Sequence, residues 1–371
     1  MQIQVQTDIL RDALNKILTV VDKKNSRPIL TCTFVNAKDS QIELSATDLE
    51  VSAKVVIPGK VNQPGQFCVN TKNIFDILRE LPEGEVILEM GDNETSLKLH
   101  YKDIFYSLLI YKSDDFPHLS FENQNNQFEL NSAQLQKIIQ KTSHAISSDE
   151  TRLFLNGIYL QEIDHKLRAV ATDGHRLALI ETELEQGDIE TLINGIIVPK
   201  KGVYELKKLA EAHPEMPIKI SLDESFMFAS TQDKYFLSIR LIAREYPKYQ
   251  ASIPGKMSYT MHADRNVLMD AVKRIRIMSN EKSHGVRLKF TEKEVSVMAQ
   301  HPSLGEAQET LSVDYDGKEM EVGFNARFLI DALNSLDEGD VTIELNNELS
   351  PVLLKSSDLP NYLGIIMPLR L

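Results

Sequence analysis

The chain has 371 residues, 42% of them hydrophobic, and a formal net charge of −13. That length accommodates two or three domains of ordinary size, and the acidic balance argues at first against a nucleic-acid partner. No apolar run approaches the roughly 18 residues that a membrane span needs, so no membrane partner is expected.

Two cysteines, Cys32 and Cys68, stand without metal or disulfide spacing. Each sits in an apolar, strand-like setting, as small buried hydrophobes of a reducing compartment do. The N-terminal Met1-Gln-Ile-Gln-Val-Gln has neither a basic nor an apolar leader region. The expected location is cytoplasmic.

In chain order, Met1, Ile3 and Val5 alternate with glutamines, the period of a half-buried strand. Thr7 or Asp8 can then cap a helix over 8–24 whose Ile9, Leu10, Ala13, Leu14, Ile17 and Leu18 share one face. Alternating stretches such as Ile42-Glu-Leu44 predict strands, a second helix covers 71–80, and Val86-Ile-Leu-Glu-Met90 is a strand before a turn. The order then restarts. Phe128 and Leu130 lead to an Asn131-Ser132 cap, a helix over 131–142, the strand Leu167–Val170 and a helix over 200–212. It restarts again at Tyr259 and Met261, with Asp264 as the cap, helix 264–277, the strand pattern Val295-Ser-Val297 and helix 325–336.

Two markers fix the period. The second-helix segments beginning at Val69, Val198 and Phe324 lie 129 and 126 positions apart. Tyr106-Ser-Leu-Leu-Ile, Phe236-Leu-Ser-Ile-Arg and Tyr362-Leu-Gly-Ile-Ile lie 130 and 126 apart. A solenoid unit runs about 20–50 residues, so this is a whole domain in three copies. Polar Glu122–Asn126 and Pro254-Gly-Lys256 place the copies at 1–122, 127–254 and 257–371. Each reads as α+β, two helices against antiparallel sheet.

Charge is unevenly placed. The six predicted helices hold 17 Lys/Arg and 10 Asp/Glu, although the chain as a whole is acidic. A basic element on an acidic body is one way to build a polyanion site, against the bland alternative of solvated surface lysines. A 120-residue domain has a diameter of about 35 Å. Six in a closed ring leave a hole about as wide as one domain, which passes a duplex roughly 20 Å across. Two chains of three domains, joined head to tail, supply six.

Ala171-Thr-Asp-Gly-His-Arg-Leu-Ala178, Leu155-Asn-Gly157, Ser279-Asn-Glu-Lys282, Gly285-Val-Arg-Leu288 and Met367-Pro-Leu-Arg-Leu371 resemble the bacterial DNA polymerase III β subunits, the sliding clamps. Leu81-Pro-Glu-Gly84 and Ala46-Thr-Asp-Leu-Glu50 resemble them too, so the likeness covers the whole chain. The resemblance implies a non-catalytic homodimeric ring of six domains around double-stranded DNA, without cofactor or metal. Its partners would be the replicative DNA polymerase, a clamp-loader ATPase and other proteins that dock short peptides between the second and third domains.

For that pocket the resemblance implies Leu155, Thr172, Gly174, His175, Arg176, Leu177 and Pro247 from the second copy. From the third it implies Asn325, Phe328, Leu349, Ile365, Ile366, Met367, Pro368, Leu369, Arg370 and Leu371. Leu177 and Ile366 would form its floor, Met367 its gate, and His175 and Arg176 would position polar atoms of the peptide. Ala251, Ser252 and Ser283 stand where other members carry bulkier, basic or aromatic residues, which makes one rim shallower. For DNA the expected contacts are Lys24, Lys72, Lys137, Lys141, Lys200 and Lys201. Asp149, Leu153 and Phe154 stand where the family presents Gln and aromatic residues, and an acid there would repel phosphate. For the dimer, Tyr106 and Leu108 would meet Ile277 and Met278 of a second chain.

Two other readings compete. Asp173-Gly-His175 has the look of an acid–base pair, but no nucleophile elbow, P-loop or zinc-protease motif accompanies it. A three-domain adaptor without DNA would lack a use for exposed apolar edges and basic helices.

Overall fold

The computed structural model describes residues 1–21, 27–91, 95–123, 126–185, 187 and 189–370. Seven helices are described: α1 (Thr7–Ile17), α2 (Thr71–Glu80), α3 (Ser132–Thr142), α4 (Glu190–Asn194), α5 (Lys200–Ala212), α6 (Arg265–Ile275) and α7 (Ala326–Ser335). All the rest of the regular structure is antiparallel sheet and short 3-10 turns, so the fold is α+β in three tandem copies.

The first helix of each copy follows a strand directly, and its apolar spacing explains its burial. In α1, Leu10, Ala13, Leu14 and Ile17 fall three and four apart and are buried. Its N-terminus differs from expectation. The cap position is Gln6, without a side-chain cap bond. Thr7 lies inside the helix, donates its hydroxyl to the Pro82 carbonyl at 3.0 Å and accepts from the Gly84 amide at 3.1 Å. The helix also ends at Ile17, short of the expected residue 24. The later caps match their sequence signals. Asp264 accepts from the Val267 amide at 2.8 Å. Asn131 accepts from the Ala133 amide while Gln134 accepts from the Asn131 amide, a reciprocal box. Short α4 carried no sequence signal that we recognised.

Contact density groups the chain into two compact units: Met1–Gln136 with Ile189–Thr191 and Lys201–Leu241, and Lys137–Asp188 with Leu192–Lys200 and Ile242–Leu371. Two units arise from three copies because the middle copy contributes one half-sheet to each.

In the first unit a single sheet of 13 strands runs in the order Gln127–Asn131, Pro217–Leu222, Phe226–Ser230, Tyr235–Arg240, Val51–Pro58, Gln41–Thr47, Cys32–Lys38, Gly65–Asn70, Ile104–Tyr111, Ser96–Tyr101, Glu85–Met90, Gln2–Gln6 and Lys60–Gln63. The join between copies is the pairing of Val51–Pro58 with Tyr235–Arg240, from Val51 opposite Ile239 to Val55 opposite Tyr235. Cys32 and Cys68 are buried in this unit. Burial pushes both thiols up, Cys68 to about 12, which keeps them protonated and inert.

The second unit repeats the join. Its nine-stranded sheet runs Ile196–Pro199, Gly157–Ile163, Lys166–Thr172, Arg176–Glu183, Tyr362–Ile366, Val352–Lys355, Asp340–Leu345, Tyr259–Asp264 and Asp314–Tyr315. Here Arg176–Glu183 of the middle copy pairs with Tyr362–Ile366 of the third, Arg176 opposite Ile366. A separate four-stranded sheet runs Gly305–Ser312, Glu294–His301, Gly285–Phe290 and Met320–Asn325. No described helix is long and apolar enough to cross a membrane.

Candidate functional site

The Arg176–Tyr362 join in the second unit carries a cavity of about 430 Å³. Its floor follows from strand alternation. Leu177 and Ile365 are opposite one another across the join and both line the cavity. Ile366, expected on the floor, is instead fully buried and absent from the lining, because successive residues of a strand face opposite ways. Beneath the floor lies an apolar cluster containing Leu155, Val170, Leu177, Ile197, Tyr246, Tyr249, Leu353 and Ile365. Leu155 thus supports the cavity from below rather than lining it. Tyr159 stacks on Tyr246 at 4.6 Å and closes the cluster.

The turn before Arg176 is held by its own side chains. Thr172 donates its hydroxyl to the Arg176 carbonyl at 2.6 Å and accepts from the Gly174 amide at 3.1 Å. Asp173 accepts from the His175 and Arg176 amides at 2.9 and 3.1 Å. Gly174 has φ +90°, where a Cβ would be strained. Arg176 lines the cavity, and its guanidinium is already engaged. It bonds Asp173 at 3.0 Å and Asp331 at 2.6 Å and lies 4.4 Å from the Phe328 ring centre. Through these contacts Arg176 braces α7 against the floor strand. Exposed His175 stacks on Phe328 at 6.3 Å, and Asn325 caps α7 by accepting from the Arg327 amide at 2.9 Å. Neither His175, Asn325 nor Phe328 reaches the cavity lining.

The opposite wall is Ala251, Ser252, Ile253 and Pro254 with Asn346, Ser350 and Pro351, and Met367 stands half-exposed at the mouth. Ala251 and Ser252, expected at the rim, both line this wall. Asn346 donates to the Lys256 carbonyl at 3.0 Å, while its buried side-chain oxygen has no partner among the described residues. An apolar floor of this size suits an apolar side chain. Ile253, Asn346, Ser350 and Pro351 escaped the sequence reading. They lie in loops with no period, and only the Pro residues punctuate them.

Several expected lining residues lie elsewhere. Pro247 is exposed outside the cavity, accepting from the Tyr249 amide at 2.7 Å. Leu349 is exposed and also outside it. The Met367 amide continues the floor strand by donating to the His175 carbonyl at 2.8 Å, and the Leu369 amide then donates to Gly323 at 2.8 Å. This turns the terminus away, so Arg370 and Ser283 line a different, polar cavity with Arg287 and Glu321. Pro368 and Leu369 are half-buried between the two cavities, and Leu371 lies outside the described residues.

The chain matches the profiles of the DNA polymerase III beta subunit in order: N-terminal domain over residues 1–120, central domain over 129–248 and C-terminal domain over 250–370. The chain belongs to that family, the beta sliding clamps. The beta sliding clamp of Caulobacter vibrioides is 31% identical with both chains fully covered, and that of Escherichia coli K12 is 31% identical, again over the full length of both. The solved sliding clamp of Bartonella birtlesii, bound to griselimycin, superimposes with a TM-score of 0.95 at 29% identity and full coverage of both chains. The function is therefore that of a DNA sliding clamp in replication, and the adaptor reading is not favoured.

Of the lysines expected to meet the DNA, three keep that possibility. Lys137 and Lys200 are exposed, Lys200 donating to the Ser148 hydroxyl at 3.2 Å, and Lys72 is exposed in an ion pair with Asp76 at 2.8 Å. Lys141 is buried with its amine 2.6 Å from Asp337, and Lys201 pairs with Asp48 while donating to the Val20 carbonyl. Both are structural, because helical charge count does not say which face a lysine occupies. Lys24 lies outside the described residues. Asp149 is tied to Thr151 and to Arg152 at 2.9 Å, and those bonds hold its carboxyl down at about 2. Its charge is thus neutralised locally. Leu153 is exposed, whereas Phe154 packs against the apolar cluster.

Tyr106 is partly exposed, Leu108 and Met278 are half-buried, and Ile277 is 73% exposed. Sequence reading missed the neighbours Phe105, 55% exposed, and Leu109, 81% exposed. The run Ile104-Phe-Tyr-Ser-Leu-Leu-Ile-Tyr111, apolar or aromatic at every position but Ser107, was the available signal.

Proposed function

We propose that two copies of this chain close head to tail into a ring that encircles duplex DNA and tethers the replicative polymerase to it, without catalysing a reaction. The repeating unit is the copy of about 120 residues, at 1–122, 127–254 and 257–371. One observation carries the reading. Two strand joins link successive copies, Val51–Pro58 to Tyr235–Arg240 and Arg176–Glu183 to Tyr362–Ile366. The equivalent strands left over are Ile104–Tyr111 and Gly305–Ser312. The first uses only its last two residues on one side, and the second is a sheet edge. A second chain offers each its missing partner, and two such joins close the ring.

Phe105, Tyr106, Leu108 and Leu109 would be covered there against Ile277 and Met278, contiguous apolar surface that a lone chain leaves wet. Lys72, Lys137 and Lys200 would meet phosphates without reading sequence. The cavity over Leu177 and Ile365 would take apolar anchors of partner peptides, those of the polymerase, of the clamp-loader ATPase that opens the ring, and of other clamp-binding proteins, all in the cytoplasm. The test is retention. Clamps loaded on nicked circular DNA should co-elute with it in 0.3 M salt and leave once the circle is linearised. Equal retention on both forms would rule out encirclement.

A further inference from the structure

Both joins within the chain tie a strand turn to the next copy's second helix, with the charges exchanged. At the first join Thr47 donates its hydroxyl to the Val51 carbonyl and accepts from the Leu49 amide at 2.9 Å, while Asp48 accepts from the Glu50 and Val51 amides. The Thr172–Arg176 turn of the second join has the same four bonds in the same places. Val51 therefore stands where Arg176 stands, and Asp48 where Asp173 stands. At the first join the turn gives the acid: Asp48 pairs with Lys201, the second residue of α5. At the second the turn gives the cation: Arg176 pairs at 2.6 Å with Asp331, the sixth residue of α7. The sixth residue of α5 is an acid too, the fully buried Glu205, but with Val51 at the matching turn position it makes no ion pair among the described residues. A tie that recurs through different residues belongs to how a join is built rather than to chance pairing on one surface.

The second tie bears on the cavity. Leu177 and Ile365 do not need it, because strand pairing sets them. The turn does. Thr172, Gly174 and Arg176 line the cavity, and the His175 carbonyl holds the Met367 amide at the mouth. The turn's last residue is fixed by a guanidinium forked between Asp173 and Asp331 over the Phe328 ring, with the Arg176 side chain only 12% exposed. Charge-assisted bonds of this kind hold direction as well as distance. Asp331 itself lies on α7, no residue of which lines the cavity, so its carboxylate reaches the cavity through Arg176.

We infer that Asp331 is a positioning residue for partner peptides: through Arg176 it pins the Thr172–Arg176 turn to α7, and the pinned turn keeps Thr172, Gly174 and Met367 in place around the apolar floor. The inference rests on the peptide-pocket reading of the Leu177–Ile365 cavity. It adds a residue outside the cavity to those that set affinity.

A double-mutant cycle on the full-length protein tests it, read by fluorescence anisotropy with a labelled peptide carrying leucine and phenylalanine anchors. Asp331→Asn should weaken the peptide about threefold to tenfold, the size of one lost charge-assisted bond that is partly open to water. Asp331→Glu, which keeps the carboxylate, should restore most of that loss. In an Arg176→Met background the change to Asn should matter less than about twofold, because residues that act as one unit are not additive. Unchanged affinity in a folded Asp331→Asn protein overturns the inference. So does an equal loss in both backgrounds, since the acid would then act without Arg176. No binding by wild type overturns the pocket reading together with it. Should Asp331→Asn fail to fold, Arg176→Lys decides. One ammonium cannot hold both acids as the guanidinium fork does, so the peptide should weaken by about threefold, and unchanged affinity overturns the inference.

Discussion

His144 sits just past α3, with its Nδ1 buried and without a hydrogen-bond partner among the described residues. Burial first, then the Arg176 guanidinium, lowers its pKa from 6.5 to about 4, against the opposing pull of Asp331 and Asp173. A histidine depressed on folding adds stability that is full above pH 6.5 and is lost as pH falls through about 4. The window is worth about 3 kcal/mol at most, at roughly 1.4 kcal/mol per pH unit. His144→Gln should therefore lose less stability than wild type between pH 7 and pH 4.5, read as the shift in urea midpoint. Parallel losses in the two proteins would show that His144 does not carry the acid sensitivity. At this scale the sequence was only partly legible. The family resemblance supplied Thr172, Leu177, Ile365 and Met367, which line one cavity. It misplaced Ile366 by one step of the strand period, and it could not show that Arg176, Lys141 and Lys201 spend their charge on Asp331, Asp337 and Asp48, partners that lie 153 to 196 positions away along the chain.

Among the elements, the terminal strand Tyr362–Ile366 with its extension through Leu369 contributes most to the site. It supplies Ile365 to the floor, Met367 to the mouth and two main-chain bonds, to His175 and Gly323. The paired register ends at Ile366, so removing Met367–Leu371 takes Met367 from the cavity and leaves Leu177 and Ile365. Peptide affinity should fall at least tenfold by fluorescence anisotropy, because a few buried anchors carry most of such an interface. Light scattering of the same sample should give an unchanged mass. Full affinity in the truncated protein would move the partner site elsewhere. Elements were the most legible scale. Five of the six expected helices lie within about two residues of their places, since their apolar faces and their caps repeat. The exception, α1, stops early because Leu18 and Val20 lie in the turn that follows it, and hydrophobicity alone does not separate a helix from a buried turn.

For the whole molecule, the proposed dimer would rest on the surface around Ile277 and Met278. Burial of an apolar side chain of this size is worth about 1.5–3 kcal/mol, so Ile277→Ala with Met278→Ala should weaken association by at least tenfold. Sedimentation at low micromolar concentration measures it. A sedimentation coefficient equal to wild type would clear these two residues of the role. Tandem copies were readable from two markers of one period. The grouping into two compact units was not, because it depends on strands pairing between copies, and nothing in the pattern of a strand names its neighbour.

The strand Ile104–Tyr111 has one further consequence. It is eight residues long, apolar or aromatic at seven positions, uncharged and without proline, the composition from which cross-β fibrils nucleate. Its complement Gly305–Ser312 carries Glu306 and Glu309, so the acidic strand repels its own kind while the apolar one does not. If the proposed ring opened, it would be a template for aggregation on one side only. A machine that parted the proposed join would have to shield that strand for as long as the gap stood, and chains made faster than they found partners should be lost to insoluble assemblies seeded at this edge.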